Sequence, residues 1–418
     1  MRIRERDMEK RTFKSRVYSF FQSFSDVFRQ APFSLLFCAF TGLLAGIALS
    51  AMSGMLQLLP GLMILIPPAI GMRGNVYSAL VSRLGTSMHL GLFSPTLKKG
   101  GVLQLNAHAS LILTLIFSII LGFLAKLVAE AFGVFSIPLH EFILISVIGG
   151  LISGIVLLGI SILVSITGYN RNWNIDNVSS PIITSAGDMI TIPSLFFAAS
   201  LILKLNKLKF MGWLSPVTLL SILFISLYCA VKVLKSNNVE LRRILFESIP
   251  MLLICGTLST FAGIILNMKL EQLIANTAIL VMVPPFLGVN NGLGGILSAR
   301  LSSMLHIGTV NPQKFPDRRV SANFTVIYLL SLLIFSVVGG MSYVVTLPAG
   351  TQGVLELLAL SILGGVLCTT FLNFASYYIA IISFRFGLDP DNETIPLITS
   401  LTDVVGVLCL LFAMMVIL

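Results

Sequence analysis

The sequence predicts an all-α polytopic membrane protein of about eleven transmembrane helices. It reads as two parallel five-helix repeats joined by an extra linker helix and related by a pseudo-two-fold axis along the membrane normal. Three observations carry this reading. Of 418 residues, 56% are hydrophobic and only 11% charged, with a mean hydropathy of +0.97, far from the makeup of soluble domains. Apolar segments long enough to cross a bilayer, at about 20 residues each, recur along the chain. Two unrelated stretches also occur twice at nearly one spacing.

Residues 1–30 are charged throughout and lack the short apolar core and small-residue cleavage site of a secretory signal. Phe13, Val17, Phe20, Phe21, Phe24 and Phe28 recur at helical spacing among Arg11, Lys14, Arg16 and Arg29. That is the pattern of an amphipathic helix on the membrane surface, with an extended basic tail as the alternative. Spans are expected near 31–57, 60–83, 105–132, 138–167, 179–203, 213–234, 244–267, 274–303, 320–347, 354–382 and 394–418. The chain then divides into repeat 1 over 31–204, a linker with one extra crossing over 205–240, and repeat 2 over 241–418.

A cytoplasmic N-terminus and an outside C-terminus put most of the 27 lysines and arginines on the cytoplasmic side of what is expected to be a cell membrane. The exception is "KLNKLK", with Lys204, Lys207 and Lys209. The net charge of +10 is therefore a topology signal, and the partner is the lipid bilayer and not nucleic acid, since no basic run is interleaved with aromatics. Cys38, Cys229, Cys255, Cys368 and Cys409 lie in apolar segments without metal-ligand spacing and read as free, buried thiols.

"PPAIGMRGNVYSALVSRLGTSMHLG" begins at Pro67, and "PPFLGVNNGLGGILSARLSSMLHIG" begins 217 positions later at Pro284. "DNVSSPIITSAGD" from Asp176 matches "DNETIPLITSLTD" from Asp391 at an offset of 215. The second and fifth spans of each half therefore share residues. Five crossings would invert a directly fused second copy, and one extra crossing near 213–234 restores its orientation. Were that segment a surface helix, the copies would be antiparallel.

An ionisable residue within a span costs roughly 2.5–3.5 kcal/mol on insertion scales, which makes Asp188 and Asp403 functional candidates. Each lies near the middle of its span at equivalent positions. Two carboxylates brought to a shared axis repel unless a cation lies between them. The neighbouring donors, Asn177, Thr184, Ser185, Asn392, Thr399 and Ser400, are oxygen types that favour magnesium, calcium or manganese. Magnesium sheds its waters reluctantly, so a largely hydrated ion held through those waters is the expected cargo. In the second spans, Pro67, Pro68, Pro284 and Pro285 remove amide donors and free carbonyls that can face a cation, while Gly71, Gly74, Gly288 and Gly292 allow close approach. The plainer reading is a kink with helix-packing glycines; Asn75, Asn290 and Asn291 favour a pathway. Arg73 and Asn75 stand where the second copy has Asn290 and Gly292, so the two walls are not strictly matched. Arg83 and Arg300 read as snorkelling to headgroups, and His89 and His306 as structural loop residues.

At these residues the sequence resembles the MgtE-type magnesium transporters, especially the eukaryotic solute-carrier branch in which two copies of the membrane domain are fused. "PPAIGMRGN", "DNVSSPIITSAGDMIT" and "DPDNETIPLITSLTD" carry the resemblance, which runs from about residue 31 to the end. It implies a five-helix, magnesium-conducting unit that works as a dimer, here as a single-chain pseudo-dimer with the ion path between the copies. The family's pore aspartate falls on Asp188 and Asp403. Its acidic motif at the cytoplasmic end falls on Asp389 and Asp391, and on Asp176 in the first copy, where Asn174 replaces one acid. The magnesium-sensing domains of many bacterial members have no counterpart in the short segment before the first span. The expectation is a transporter of divalent cations, Mg2+ foremost, and not an enzyme. A sodium- or proton-coupled exchanger is the alternative, and an intramembrane enzyme using the aspartate pair a more distant one.

Overall fold

The structure, a computed structural model, describes residues 21–96, 98, 100–171, 175–206, 220, 221, 224, 226, 239–310, 315–349, 352–385 and 390–418. Its helices are α1 Ser25–Ala51, α2 Ser53–Leu58, α3 Leu62–His89, α4 Val102–Ala131, α5 Leu139–Asn170, α6 Ile175–Asn206, α7 Val239–Met268, α8 Leu270–Ala275, α9 Thr277–His306, α10 Arg318–Thr346, α11 Val354–Arg385 and α12 Pro390–Ile417. Among the described residues there is no strand.

Nine of these helices are long and apolar enough to cross a membrane among the described residues, so the chain is an integral membrane protein. The expected count of eleven differs in two places. The second expected span is α3, which is equally long but more polar, carrying Arg73, Asn75 and Arg83. The crossing expected near 213–234, like most of the amphipathic N-terminal segment, falls outside the described residues, as does Cys229. The other four cysteines are free.

The short helices α2 and α8 stand 217 positions apart, and the packing repeats with them. α1 packs on α9, and α7 on α3; α6 packs on α3, and α12 on α9. The first helix of each half therefore lies against the proline-bearing helix of the other half. Side-chain contacts fix the helix directions. Cys255 donates to the Pro396 carbonyl and Ser259 to Asp403, so α7 and α12 run parallel. Asn291 meets Asp403 and Gly294 meets Ile398, so α9 and α12 run antiparallel. Gly263 meets Ile64 and Ser259 meets Gly71, so α3 and α7 run antiparallel. It follows that α3 and α9 run in the same direction and that the two halves are parallel copies.

The prolines account for the exchanged crossing. In an α-helix the amide of residue i bonds the carbonyl of residue i−4, so Pro68 leaves the Ile64 carbonyl free and Pro285 leaves that of Val281 free. The freed oxygen of Val281 lies where a Cβ on Gly46 would be, and that of Ile64 where a Cβ on Gly263 would be. Each glycine thus sets its Cα–H against an orphaned carbonyl of the other half, a weak hydrogen bond that replaces part of what the proline removed. These two carbonyls, expected to face a cation, instead join the halves.

A second matched pair corrects the reading of the arginines at the ends of α3 and α9. Arg83 Nε donates to Asn106 Oδ1 at 2.8 Å, and Arg300 Nε to Asn323 Oδ1 at 2.7 Å. Both therefore tie a proline-bearing helix to the helix that follows it and do not snorkel freely. Arg300 also sits 5.3 Å from the centroid of the Phe24 ring. His306 Nδ1 lies 3.0 Å from the Ser302 carbonyl, in keeping with a structural role; the side chain of His89 is not among those described.

The crossing predicts that Gly46→Val and Gly263→Val each lower the melting temperature of the purified protein in detergent. Forcing side-chain atoms into a filled contact costs about 1–3 kcal/mol. Gly159→Val, at a helical glycine with no neighbouring atom within 4 Å of its added Cβ, is the control and should change stability by less than about 0.5 kcal/mol.

Candidate functional site

A cavity of about 530 Å³ lies between the halves, walled by α3, α6, α9 and α12. Its lining changes along α3. Leu49, Met63, Ile66, Leu266 and Val283 line the end near the α3 N-terminus, and Ser78, Ser82, Thr86 and Ser303 line the other. Asp188 and Asp403 border the middle, within electrostatic range of one another. They are largely buried, at 8% and 6% exposure, so each carboxylate meets water only through the cavity.

Helical periodicity explains the placement. In α12, Pro396, Thr399, Ser400 and Asp403 recur at spacings of three and four and turn one polar stripe towards α9 and the cavity. In α3, Pro67, Gly71, Asn75, Ser78 and Ser82 do the same. The absence of side chains at two glycines brings the carboxylates close to the opposite half. A Cβ on Gly288 would come within 3.3 Å of Asp188 Oδ2, and one on Gly71 within 3.7 Å of Asp403 Oδ2.

The two carboxylates have different neighbours. Asp403 Oδ1 accepts from Asn291 Nδ2 at 2.9 Å, and Oδ2 accepts from Ser259 Oγ at 2.9 Å. A carboxylate only accepts, so the Asn291 amide turns Nδ2 to Asp403 and leaves its Oδ1 2.8 Å from Thr402 Oγ1, a hydroxyl that also lies 2.9 Å from the Ile398 and Thr399 carbonyls. No comparable donor reaches Asp188 among the described residues.

Of the residues singled out from sequence, Asp188, Asp403, Pro67, Pro284, Asn75, Asn291, Thr184, Thr399 and Ser400 line this cavity. Ser185 does not line it but is buried against Cys38, with Oγ and Sγ 3.2 Å apart. Asn290 turns into its own helix, donating to the Phe286 carbonyl at 3.0 Å. Pro68 and Pro285 do not border the cavity, and Pro285 packs against Gly42 of α1. Asp176, Asn177, Asp391 and Asn392 lie on α6 and α12, but their side chains are not among those described, and Asp389 lies outside the described residues. Among the described residues no cluster of three or more His, Cys, Asp or Glu side chains could hold a metal ion. Any cation here would be held by the two carboxylates together with neutral oxygens and water.

Arg73 is not on the wall. It is fully buried between α4 and α5, with Nε donating to Ser153 Oγ at 3.2 Å and Nη2 to Ser118 Oγ at 2.9 Å. Those hydroxyls donate onward to the carbonyls of Gly149 and Thr114, leaving their lone pairs for the guanidinium. Gly150 leaves room for this network, since a Cβ there would displace Arg73 Nη2 and Ser118 Oγ. Of the mismatches expected on the walls, the one at Asn75 against Gly292 does border the cavity, and Gly74 against Asn291 adds another. Ser259 and Thr402 carry no signal in the sequence, being ordinary hydroxyls within apolar spans; only their contact with Asp403 and Asn291 sets them apart.

Residues 66–198 and 283–413 both match the MgtE family of divalent cation transporters. Solute carrier family 41 member 2 of Homo sapiens is 25% identical over 370 residues, which is 82% of this chain and 62% of that protein. Solute carrier family 41 member 3 of Mus musculus is 26% identical over 367 residues, 82% of this chain and 73% of that one. The chain thus spans about three-fifths of the length of the first of these relatives. A solved structure of a MATE in complex with Br-NRF aligns over 93% of both chains at 16% identity, with a TM-score of 0.31 that is too low to indicate a common fold. With two matching segments that together cover more than half of its length, each containing one of the facing aspartates, the chain belongs to the MgtE family of divalent cation transporters.

Proposed function

We propose that this protein carries divalent cations, Mg2+ foremost, across the membrane along the cavity between its halves, with Asp188 and Asp403 as the central ion site. One observation carries the reading: two carboxylates, one from each half, border a single cavity with neutral oxygen donors around them. Two negative charges within electrostatic range in a poorly solvated interior repel, and a divalent cation neutralises both. Oxygen donors select hard cations over softer metals. At about 30 Å³ per water, the cavity has room for an ion keeping most of its hydration shell, which suits magnesium.

The hydroxyl-lined end near Thr86 and Ser303 is the hydrated mouth in this reading. It faces the cytoplasm of a cell membrane if the positive residues at the ends of α3 and α9 set the topology. The acidic residues Asp176, Asp389 and Asp391 stand towards the same end in sequence and would concentrate cations there. The single chain supplies both walls and needs no second copy to form the site. The enzyme alternative is disfavoured because both oxygens of Asp403 accept hydrogen bonds from Asn291 and Ser259, unlike a dyad sharing one proton between the carboxyl groups.

In proteoliposomes, Asp188→Ala and Asp403→Ala should each reduce Mg2+ flux by at least the roughly 10–100-fold that losing a hydrogen-bond partner of a metal ligand costs. Native flux in a folded double variant would remove the central claim. Imposing a sodium or proton gradient on the native chain separates the mechanisms. A pore gives flux that follows only the Mg2+ gradient and voltage, whereas an exchanger drives Mg2+ uphill when the coupling ion runs down.

A further inference from the structure

The network on Asp403 has no copy in the first half. Between α1 and α7 the offset is 217, fixed by Gly46 and Gly263 at the two crossings, so Ser259 corresponds to Gly42. Between α3 and α9 it is also 217, so Asn291 corresponds to Gly74. Between α6 and α12 it is 215, so Thr402 corresponds to Gly187. All three residues that hold or orient the Asp403 carboxylate are glycines around Asp188.

Other features do repeat between the halves: the carboxylates themselves, the pairing of Arg83 and Arg300 with asparagine, and the glycine-on-carbonyl crossings. The halves also differ at Arg73 against Asn290, but that pair lies off the cavity, whereas this difference bears directly on the carboxylates. Only one of the three glycines is demanded by packing, Gly42, where a Cβ would lie 2.5 Å from Pro285 Cα. At Gly74 and Gly187 the nearest atoms would be 3.5 and 3.6 Å away, so side chains could be accommodated there.

Resting on the ion site proposed above, we infer that its two carboxylates do different work: Asp403 is a fixed pole, positioned by Ser259, Asn291 and Thr402, and Asp188 is a mobile carboxylate that swings onto and off the ion. Two hydrogen bonds in fixed directions confine Asp403 to one rotamer, so its field on the ion is established before the ion arrives. Asp188, flanked by Gly288 and without a side-chain donor among the described residues, keeps its rotamer freedom and can follow a hydrated ion along the cavity. A site with two rigid poles would hold the ion, whereas one rigid and one mobile pole lets it bind and leave. Ser259, Asn291 and Thr402 are accordingly positioning residues, acting through Asp403.

The test is Mg2+ flux by the full chain in proteoliposomes, with KM and maximal flux measured separately. Ser259→Ala, Asn291→Ala and Thr402→Val should each raise KM about 10-fold, the usual effect of removing a group that orients a metal ligand, with a smaller change in maximal flux. Ser259→Thr, which keeps the hydroxyl, should restore KM towards the native value. Gly187→Ala, at the matching position of the first half, should leave it unchanged. Lengthening the arms tests the same idea without touching the clamp: Asp403→Glu pushes its carboxylate out of the fixed network and should cost about 10-fold more flux than Asp188→Glu. Equal effects of the two Glu substitutions, or clamp variants with native KM, would overturn the inference. If Asp188→Ala and Asp403→Ala retain native flux, it is the ion site itself that fails. If they abolish flux while the clamp variants keep native KM, only the asymmetry fails. The Glu pair decides the matter even where a clamp variant does not fold.

Discussion

The contact between a glycine of one half and a proline-freed carbonyl of the other is the constraint from which the rest of this architecture follows. A Pro-Pro pair in a membrane-spanning helix leaves backbone oxygens without amide partners, and in a bilayer such groups need a substitute. Gly46 and Gly263 supply Cα–H groups to the Val281 and Ile64 carbonyls, which is possible only where no side chain stands between the helices. The exchange of α1 and α7 between the halves follows, since each must reach the proline-bearing helix of the other. With the two central helices held in this way, α6 and α12 pack on either side of them and bring Asp188 and Asp403 to one cavity.

The arrangement also separates the tasks of the polar residues. Arg83 and Arg300 tie successive helices together through asparagine, and Arg73 is held inside the first half by hydroxyls. None of these cations borders the cavity, whose walls carry carboxylates, hydroxyls, amides and apolar side chains. With those cations off its walls and two carboxylates on them, the cavity fits the cation path proposed above. The hydrogen bonding of Asp403, which Asp188 does not share among the described residues, makes a nearly symmetric frame unequal at its centre.

Much of this was legible in the sequence because duplication exposes function through position. Apolar runs of helical length marked the membrane class, and the repeats at offsets of 217 and 215 marked equivalent spans. A carboxylate at the same depth in both copies pointed to a shared site. The repeat motif was less informative about direction. Pro68, Pro285 and Asn290 belong to it, yet none of them borders the cavity, because a helix turns successive residues by about 100° and only one stripe can meet it. Ser259 and Thr402 could not be found in this way, since a hydroxyl in an apolar span acquires its meaning from what lies opposite.

The sequence by itself determined the membrane class, the helical content, the twofold repetition and the mid-span aspartates, because composition, length and periodicity act locally along the chain. Only the tertiary structure decided which first helix serves which half, that the freed carbonyls meet glycine, that Arg73 is turned away from the wall, and that Asp403 is clamped while Asp188 is not. Each of these depends on contacts between helices far apart in sequence. A glycine in place of a serine or asparagine looks like a modest change along one chain, and becomes a missing hydrogen-bond donor to a carboxylate once two helices have been brought together.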